Sequence, residues 1–150
     1  MLFTIFGATG DLTTKKLIPA LYRLFEEEQL LAPFTIVCVG RRPYEQSVFV
    51  EEIFSKLAGE YPKWDVFSAR IFYYSMDFSM ESSFEAFRAY IDTLNGPLFG
   101  DKIYYLATAP HYFPIIANAL INCQLLIRGD MRSKIVFEKP FGEDLETAKA

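Results

Sequence analysis

The sequence predicts an α/β fold, a doubly wound and mainly parallel sheet with helices on both faces. Three observations lead there. Short apolar runs rich in β-formers alternate with longer amphipathic stretches. The first run passes straight into a glycine loop that opens a helix. The strand–helix alternation then calls for right-handed crossovers between parallel strands. Leu2-Phe3-Thr4-Ile5-Phe6 is too continuously apolar for a half-exposed strand and suits one covered on both faces. From Asp11 the period turns helical, with Leu12, Ile18, Leu21, Leu24 and Phe25 near one face until Glu26-Glu27-Glu28. Pro19 inside that helix removes a backbone donor and predicts a slight kink. Thr35-Ile36-Val37-Cys38-Val39 reads as the second strand, ended by Gly40-Arg41-Arg42-Pro43. A helix over about 46–58 follows, with Phe49, Ile53, Phe54 and Leu57 on its apolar face. Tyr61-Pro62-Lys63-Trp64 reads as a loop, and 70–76 as a third strand ending at Asp77. Residues 79–94 form a helix with Phe84, Phe87, Ile91 and Leu94 toward the core, stopped by Asn95-Gly96-Pro97. A strand over 102–107, a helix over about 112–126 and a strand over 134–138 complete the pattern.

Composition narrows the class. The 150 residues have the size of one domain and can bury a sizeable core. With 51% hydrophobic residues, 15 Phe, 9 Tyr and 1 Trp, the chain is not a disordered one. A net charge of −4 supplies no basic stripe for nucleic acid. No apolar run reaches the roughly 18–20 residues that would span a bilayer, so no membrane partner is expected. Met1-Leu2-Phe3-Thr4 leads directly into the loop and leaves no room for a signal peptide, which predicts a cytoplasmic location. Cys38 and Cys123 make neither a disulfide framework nor a metal knuckle and read as core residues. With His111 as the only histidine, no metal cluster or Ser-His-Asp arrangement can be assembled. Glu143 to Ala150 begin a helical pattern without a cap. The expectation is one NAD(P)-binding domain over 1–150, truncated at its carboxyl end, with a substrate domain beyond it.

Gly7-Ala8-Thr9-Gly10-Asp11-Leu12 stands between a strand and a helix, the context in which a glycine loop becomes a dinucleotide site of the Rossmann-like kind. Gly7 permits a tight turn, and Gly10 lets the backbone approach a ligand. The first N–H groups of the helix then face a pyrophosphate, and Thr9, Thr13 and Thr14 offer hydroxyls. The spacing is GxxGxx, and Thr13 stands where a third glycine is usual. On the loop alone, a plain strand–turn–helix junction stays open. Arg41-Arg42 at the end of the second strand bears on the coenzyme. An NAD site places an acid there for the ribose 2′-hydroxyl, whereas an NADP site offers arginine to the 2′-phosphate. No acid lies between Val37 and Pro43, so NADP is the expected cofactor.

Two separated segments carry a resemblance. Gly7-Ala8-Thr9-Gly10-Asp11-Leu12-Thr13-Thr14-Lys15-Lys16-Leu17-Ile18-Pro19-Ala20-Leu21-Tyr22 resembles the GASGDLAKRKLxPALY opening of NADP-dependent glucose-6-phosphate dehydrogenases. Lys134-Ile135-Val136-Phe137-Glu138-Lys139-Pro140-Phe141-Gly142-Glu143-Asp144-Leu145 resembles that family's RIIxEKPFGxDL segment. The resemblance implies that 7–14 hold the pyrophosphate and that Arg41 holds the 2′-phosphate. Lys16 would lie near the nicotinamide and substrate end. Asp77 and Phe78 would stand beside the coenzyme, and Tyr105 would line the nicotinamide ribose. Lys139 would contact both coenzyme and sugar phosphate, with Pro140 cis. The bottom-up reading agrees on Lys139, which stands beyond the carboxyl end of a strand, the edge where open sheets bind ligands. The parent reaction implied is oxidation of glucose 6-phosphate at C1 to 6-phosphogluconolactone, with hydride transfer to NADP, by an oligomeric enzyme of the oxidative pentose phosphate route.

The chain also departs from the family. Thr13-Thr14 replaces a frequent Ala-Lys, and the HYLGKE segment with the family's catalytic histidine is absent. His111, in Ala109-Pro110-His111-Tyr112-Phe113, occupies a different place and reads as a loop residue. No catalytic residue is therefore assigned, and the chain is expected to bind NADP without catalysis. Two other readings remain: a non-catalytic NADP-binding module, and an NADP-dependent reductase or epimerase of the extended short-chain type. The latter needs a Tyr-x-x-x-Lys pair, yet Tyr104-Tyr105 is followed by Thr108 and Ala109.

Overall fold

A computed structural model describes residues 1–10, 13–28, 34–95 and 101–137. Its strands are β1 (Leu2–Phe6), β2 (Thr35–Gly40), β3 (Ile71–Ser75), β4 (Lys102–Leu106) and β5 (Ser133–Phe137). They form one five-stranded sheet in the order β3-β2-β1-β4-β5. Every neighbouring pair is parallel, with Ile5 opposite Cys38 on one side and Tyr105 on the other. The order reverses direction at β1, so the crevice between the loops after β1 and β4 is the switch point where such sheets bind ligands.

The helices explain why β1 and β2 read as continuous apolar runs. α1 (Ile18–Glu26), α2 (Gln46–Lys56) and α3 (Trp64–Ser68) cover one face. There Ile18, Leu21, Tyr22, Phe49, Ile53 and Phe67 pack on Ile5, Ile36, Cys38 and Ile71. α4 (Ser83–Asn95) and α5 (Phe113–Asn122) cover the other. Phe84, Phe87, Ile91, Ile116 and Leu120 meet Leu2, Phe6, Val37, Val39, Tyr104 and Leu106 there. A strand buried on both faces has no polar side to show.

Several elements differ from the sequence-based expectation. The irregularity attributed to Pro19 lies one turn earlier, as a π-helical turn over Thr13–Leu17. Pro19 itself stands in the first turn of α1, where a proline is tolerated. The segment expected to be a loop up to Trp64 leads into α3, a five-residue helix. Tertiary packing makes it: Phe67 is fully buried, with its ring 5.4 Å from Tyr22 and 5.5 Å from Phe25. The Lys63 N–H also donates to the Tyr22 hydroxyl at 2.8 Å. Phe54, expected in the core, is 49% exposed and lies against Trp64, with ring centroids 5.4 Å apart. The expected helix over 112–126 divides into a 3₁₀ turn, Pro110–Tyr112, and α5. Cys123 caps α5, and both cysteines are buried, as expected of core residues.

β3 is an edge strand, and its outer backbone is not left open. Gln46, the first residue of α2, donates through Nε2 to the Ile71 carbonyl and accepts from the Tyr73 N–H at 3.0 Å. One side chain thus fixes the start of α2 and caps part of the edge. The role of α3 is open to a direct test. Phe67→Ala should destabilise the chain by about 3–5 kcal/mol in denaturant unfolding, whereas Val66→Ala, at a site 59% exposed, should change it little. Equal effects would mean that α3 does not anchor this face.

Candidate functional site: the carboxyl edge of the sheet

The site begins where β1 ends. Gly7 adopts φ +88°, and a Cβ placed there would lie 2.8 Å from the Ala107 carbonyl oxygen. Only glycine fits both constraints. The N–H groups of Gly7 and Ala8 both donate to the Val39 carbonyl, at 2.9 and 3.0 Å, while Ala107 N–H donates to Phe6 at 2.8 Å. The loop is thereby fastened to the ends of both neighbouring strands. Gly10 closes the turn with an N–H bond to the Gly7 carbonyl at 3.2 Å. Among the described residues a Cβ on Gly10 would meet only that oxygen, at 3.5 Å, so none of them closes the loop's outer side. Ala8 is buried, whereas Thr9 and Gly10 are exposed. The N–H groups of Gly7, Ala8 and Gly10 are thus engaged within the sheet and the turn, and residues 11–12, on which the expected pyrophosphate contacts also fall, lie outside the described residues.

The end of β2 packs equally closely. A Cβ on Gly40 would lie 2.7 Å from the Tyr73 hydroxyl and 2.9 Å from the Thr9 methyl. The Tyr73 hydroxyl donates to the Arg42 carbonyl at 2.5 Å, and the Ser75 hydroxyl donates to the Arg41 carbonyl at 3.1 Å. Burial pushes the Tyr73 phenol up to about 12, so it remains a donor at neutral pH. The backbone of the arginine pair is therefore fixed by two side chains of β3. The two side chains have different partners. Arg42 is raised further by its hydrogen bond to Tyr44, with Glu52 adding its field. Arg41 places its guanidinium carbon 4.9 Å from the centre of the Tyr112 ring. Among the described residues no carboxylate lies within ion-pair distance of Arg41.

Asp77 follows β3. Its Oδ1 accepts from the Ser79 hydroxyl at 2.6 Å and the Ser79 N–H at 3.0 Å. Those bonds hold its carboxyl below the usual range, with Arg41 contributing a smaller attraction. A carboxylate with a depressed value stabilises the fold above its unfolded value, and the contribution fades as pH falls through the folded one.

The sequence-predicted residues divide into four groups. Gly7, Ala8, Thr9, Gly10, Arg41 and Asp77 belong to the loops at the carboxyl edge. Phe78 and Tyr105 stand elsewhere in the fold. Phe78 is 4% exposed and packs edge-on against Phe6, in the core beneath the loops. Tyr105 lies within β4 opposite Ile5, its ring stacked 6.2 Å from Phe3 on the sheet face. Thr13, Thr14 and Lys16 fall in the π-helical turn, with Lys16 exposed. Asp11, Leu12, Lys139 and Pro140 lie outside the described residues. Sequence reading missed Tyr73, Ser75, Ser79 and Tyr112. Tyr73 and Ser75 could be found only by knowing the β2–β3 register, whereas Ser79 stands two residues after Asp77 and Tyr112 two residues after a proline that closes the fourth strand's loop. His111 is exposed, its ring 4.1 Å from that of Tyr112. No group of three metal-ligating residues exists among the described residues.

The cause of the Asp77 shift is checked by following its carboxyl carbon by NMR as pH is lowered. The midpoint should lie below that of an ordinary aspartate, and Ser79→Ala should raise it. An unchanged midpoint in Ser79→Ala would assign the shift to another group.

Residues 4–150 match the family model described as glucose-6-phosphate dehydrogenase, NAD binding domain. The glucose-6-phosphate 1-dehydrogenase of Chlamydia muridarum is 35% identical over 97% of this chain and 31% of its own length. That of Treponema pallidum is 36% identical over 99% of this chain and 30% of its own. The crystal structure of glucose-6-phosphate 1-dehydrogenase from Mycobacterium avium superposes with a TM-score of 0.77 at 29% identity, over 99% of this chain and 32% of that one. A glucose-6-phosphate dehydrogenase in complex with glucose 6-phosphate gives 0.79 at 23% identity over 99% of this chain and 32% of that one, a likeness of fold. The chain spans less than a third of the length of the curated relatives named here. A parallel sheet with its switch point at a glycine loop and a family match over nearly every residue lead to one conclusion: the chain belongs to the glucose-6-phosphate dehydrogenase family, as its NAD-binding domain.

Proposed function

We propose that this chain binds NADP rather than NAD, and that it is the coenzyme half of an enzyme oxidising glucose 6-phosphate at C1 to 6-phosphogluconolactone. The observation that carries the choice of coenzyme is Arg41. It follows the last residue of β2, its backbone carbonyl is held by Ser75, and no carboxylate pairs with it among the described residues. A guanidinium so placed suits a 2′-phosphate, which it can bind through paired N–H groups. An acid able to accept from a ribose 2′-hydroxyl is missing between Val37 and Pro43.

The remaining parts have separate tasks. The Gly7–Gly10 turn receives the pyrophosphate, its open outer side at Gly10 allowing close approach. Arg41 fixes the adenosine end, and the loop after β4 borders the crevice on the other side of β1. Bound NADP supplies the acceptor for hydride. The protein's contribution is to orient that acceptor toward the sugar. Lys139 and Lys16 are the proposed contacts toward glucose 6-phosphate. His111 is given no proton-transfer role, since it sits exposed in the 3₁₀ turn after β4. In this reading the parent enzyme is cytoplasmic and oligomeric, and the 150-residue chain binds coenzyme without turning over sugar.

Membership of the family supports this reading over a short-chain reductase or epimerase. The test is a fluorescence titration of the chain with NADPH and with NADH at low salt. NADPH should bind more tightly, and Arg41→Ala should weaken it roughly ten- to hundredfold, as expected for a lost hydrogen-bonded charge pair. Equal affinity for the two coenzymes, unchanged in Arg41→Ala, would remove the NADP assignment. Formation of NADPH from glucose 6-phosphate by the chain would overturn the division of labour.

A further inference from the structure

Resting on the NADP reading, we propose that Tyr112 is a positioning residue: its ring is the platform that holds the Arg41 guanidinium ready for the coenzyme's 2′-phosphate. Arg41 is an exposed side chain on a loop, and a long flexible cation in that setting samples many rotamers in water. Here it lies over a ring, with Cζ 4.9 Å from the ring centre. The ring in turn is fixed from below. Tyr112 meets Phe78 edge-on, with centroids 6.1 Å apart at 84°, and Phe78 meets Phe6 at 5.8 Å and 83°. Phe6 is fully buried at the end of β1, the strand at the sheet's centre. A column of three aromatic rings thus connects the core to Arg41.

The position of the pair matters as much as its contact. Arg41 comes from the loop after β2, Tyr112 from the turn after β4, and these two strands flank β1. Their stack therefore bridges the two loops bordering the switch point. The chemistry of the platform also suits an anion receptor. A carboxylate partner would neutralise the guanidinium and compete with phosphate for its N–H groups. A ring face attracts the cation without occupying those donors. Asp77, the acid whose field reaches Arg41, has Oδ1 engaged by both donors of Ser79. Among the described residues Arg42 has no such platform, and it is engaged with Tyr44. Phe78, which the resemblance places beside the coenzyme, is the middle ring of this column.

The experiment titrates the chain, Tyr112→Phe, Tyr112→Leu, Arg41→Ala and the Arg41→Ala/Tyr112→Leu double variant with NADPH and NADH, checking each fold by circular dichroism and thermal melting. The readout is the ratio of the two affinities, which a loss confined to general folding would not move. Tyr112→Leu should lower the NADPH preference about two- to fivefold, the size expected of an exposed cation–π contact, and Tyr112→Phe should restore it. In the Arg41→Ala background the Leu substitution should change nothing further. If Tyr112→Leu melts early, Tyr112→Gln gives the same reading with a side chain of polar surface character. A wild-type ratio in Tyr112→Leu, with Arg41→Ala still lowering it, would overturn the platform while leaving the NADP reading intact. Tighter NADPH binding in Tyr112→Leu would overturn it too, making the ring an obstacle. A wild-type chain without preference for NADPH removes the coenzyme reading, and the platform with it.

Discussion

The structure depends on how closely the backbone passes Ala107 at Gly7. β1 is paired on both sides, so the chain leaving it has almost no room. It escapes through one residue at φ +88°, with the next strand's carbonyl where a side chain would begin. Because Gly7 and Ala8 also donate to Val39, the turn is tied to β2 at the same moment. The position of the glycine loop is thus set by the sheet rather than by the loop's own sequence. The loop's open side, the arginines and the crevice toward the β4 loop all take their places from it.

Around that constraint the protein is held by aromatic packing on both faces. Phe6 contacts Phe78, Phe84 and Phe87 on one side, with centroids about 6 Å apart. Tyr22, Phe25, Phe34, Trp64 and Phe67 form a second network on the other. Large rings fill the space between sheet and helices with few rotatable bonds, and edge-to-face contacts fix their orientation. The same rings extend from packing into the site. Phe78 and Tyr73 are core residues by burial, yet one supports the ring beneath Arg41 and the other anchors the Arg42 carbonyl.

Much of this was legible in the sequence, for reasons that particular residues make plain. β1 and β2 were recognisable because a strand covered on both faces is apolar nearly throughout, as 2–6 and 35–39 are apart from Thr4 and Thr35. The glycine loop and Arg41 were found because their chemistry is local. α3 was not, since a five-residue helix has no periodic pattern of its own and exists through Phe67 and Tyr22, 45 positions apart in the chain. Phe54 misled because its helical position is apolar, though it packs on Trp64 at the surface. The ring under Arg41 joins residues from loops after two different strands, and no spacing rule connects 41 with 112. Chain order alone does not show that the Phe78 ring packs in the core against Phe6, or that Tyr105 stands within β4 opposite Ile5.

The proposed coenzyme site is the carboxyl edge of the sheet at the β1 switch point, between the loops after β1, β2 and β4. Amide chemical-shift mapping of the ¹⁵N-labelled chain during addition of NADPH tests it most directly. The largest shifts are expected at Gly7–Gly10, Arg41–Arg42 and Ala107–Ala109, with Phe54 and Val66 on the outer helices unmoved. Shifts centred on the helices, or at the opposite edge near Met1 and Asp101, would contradict it.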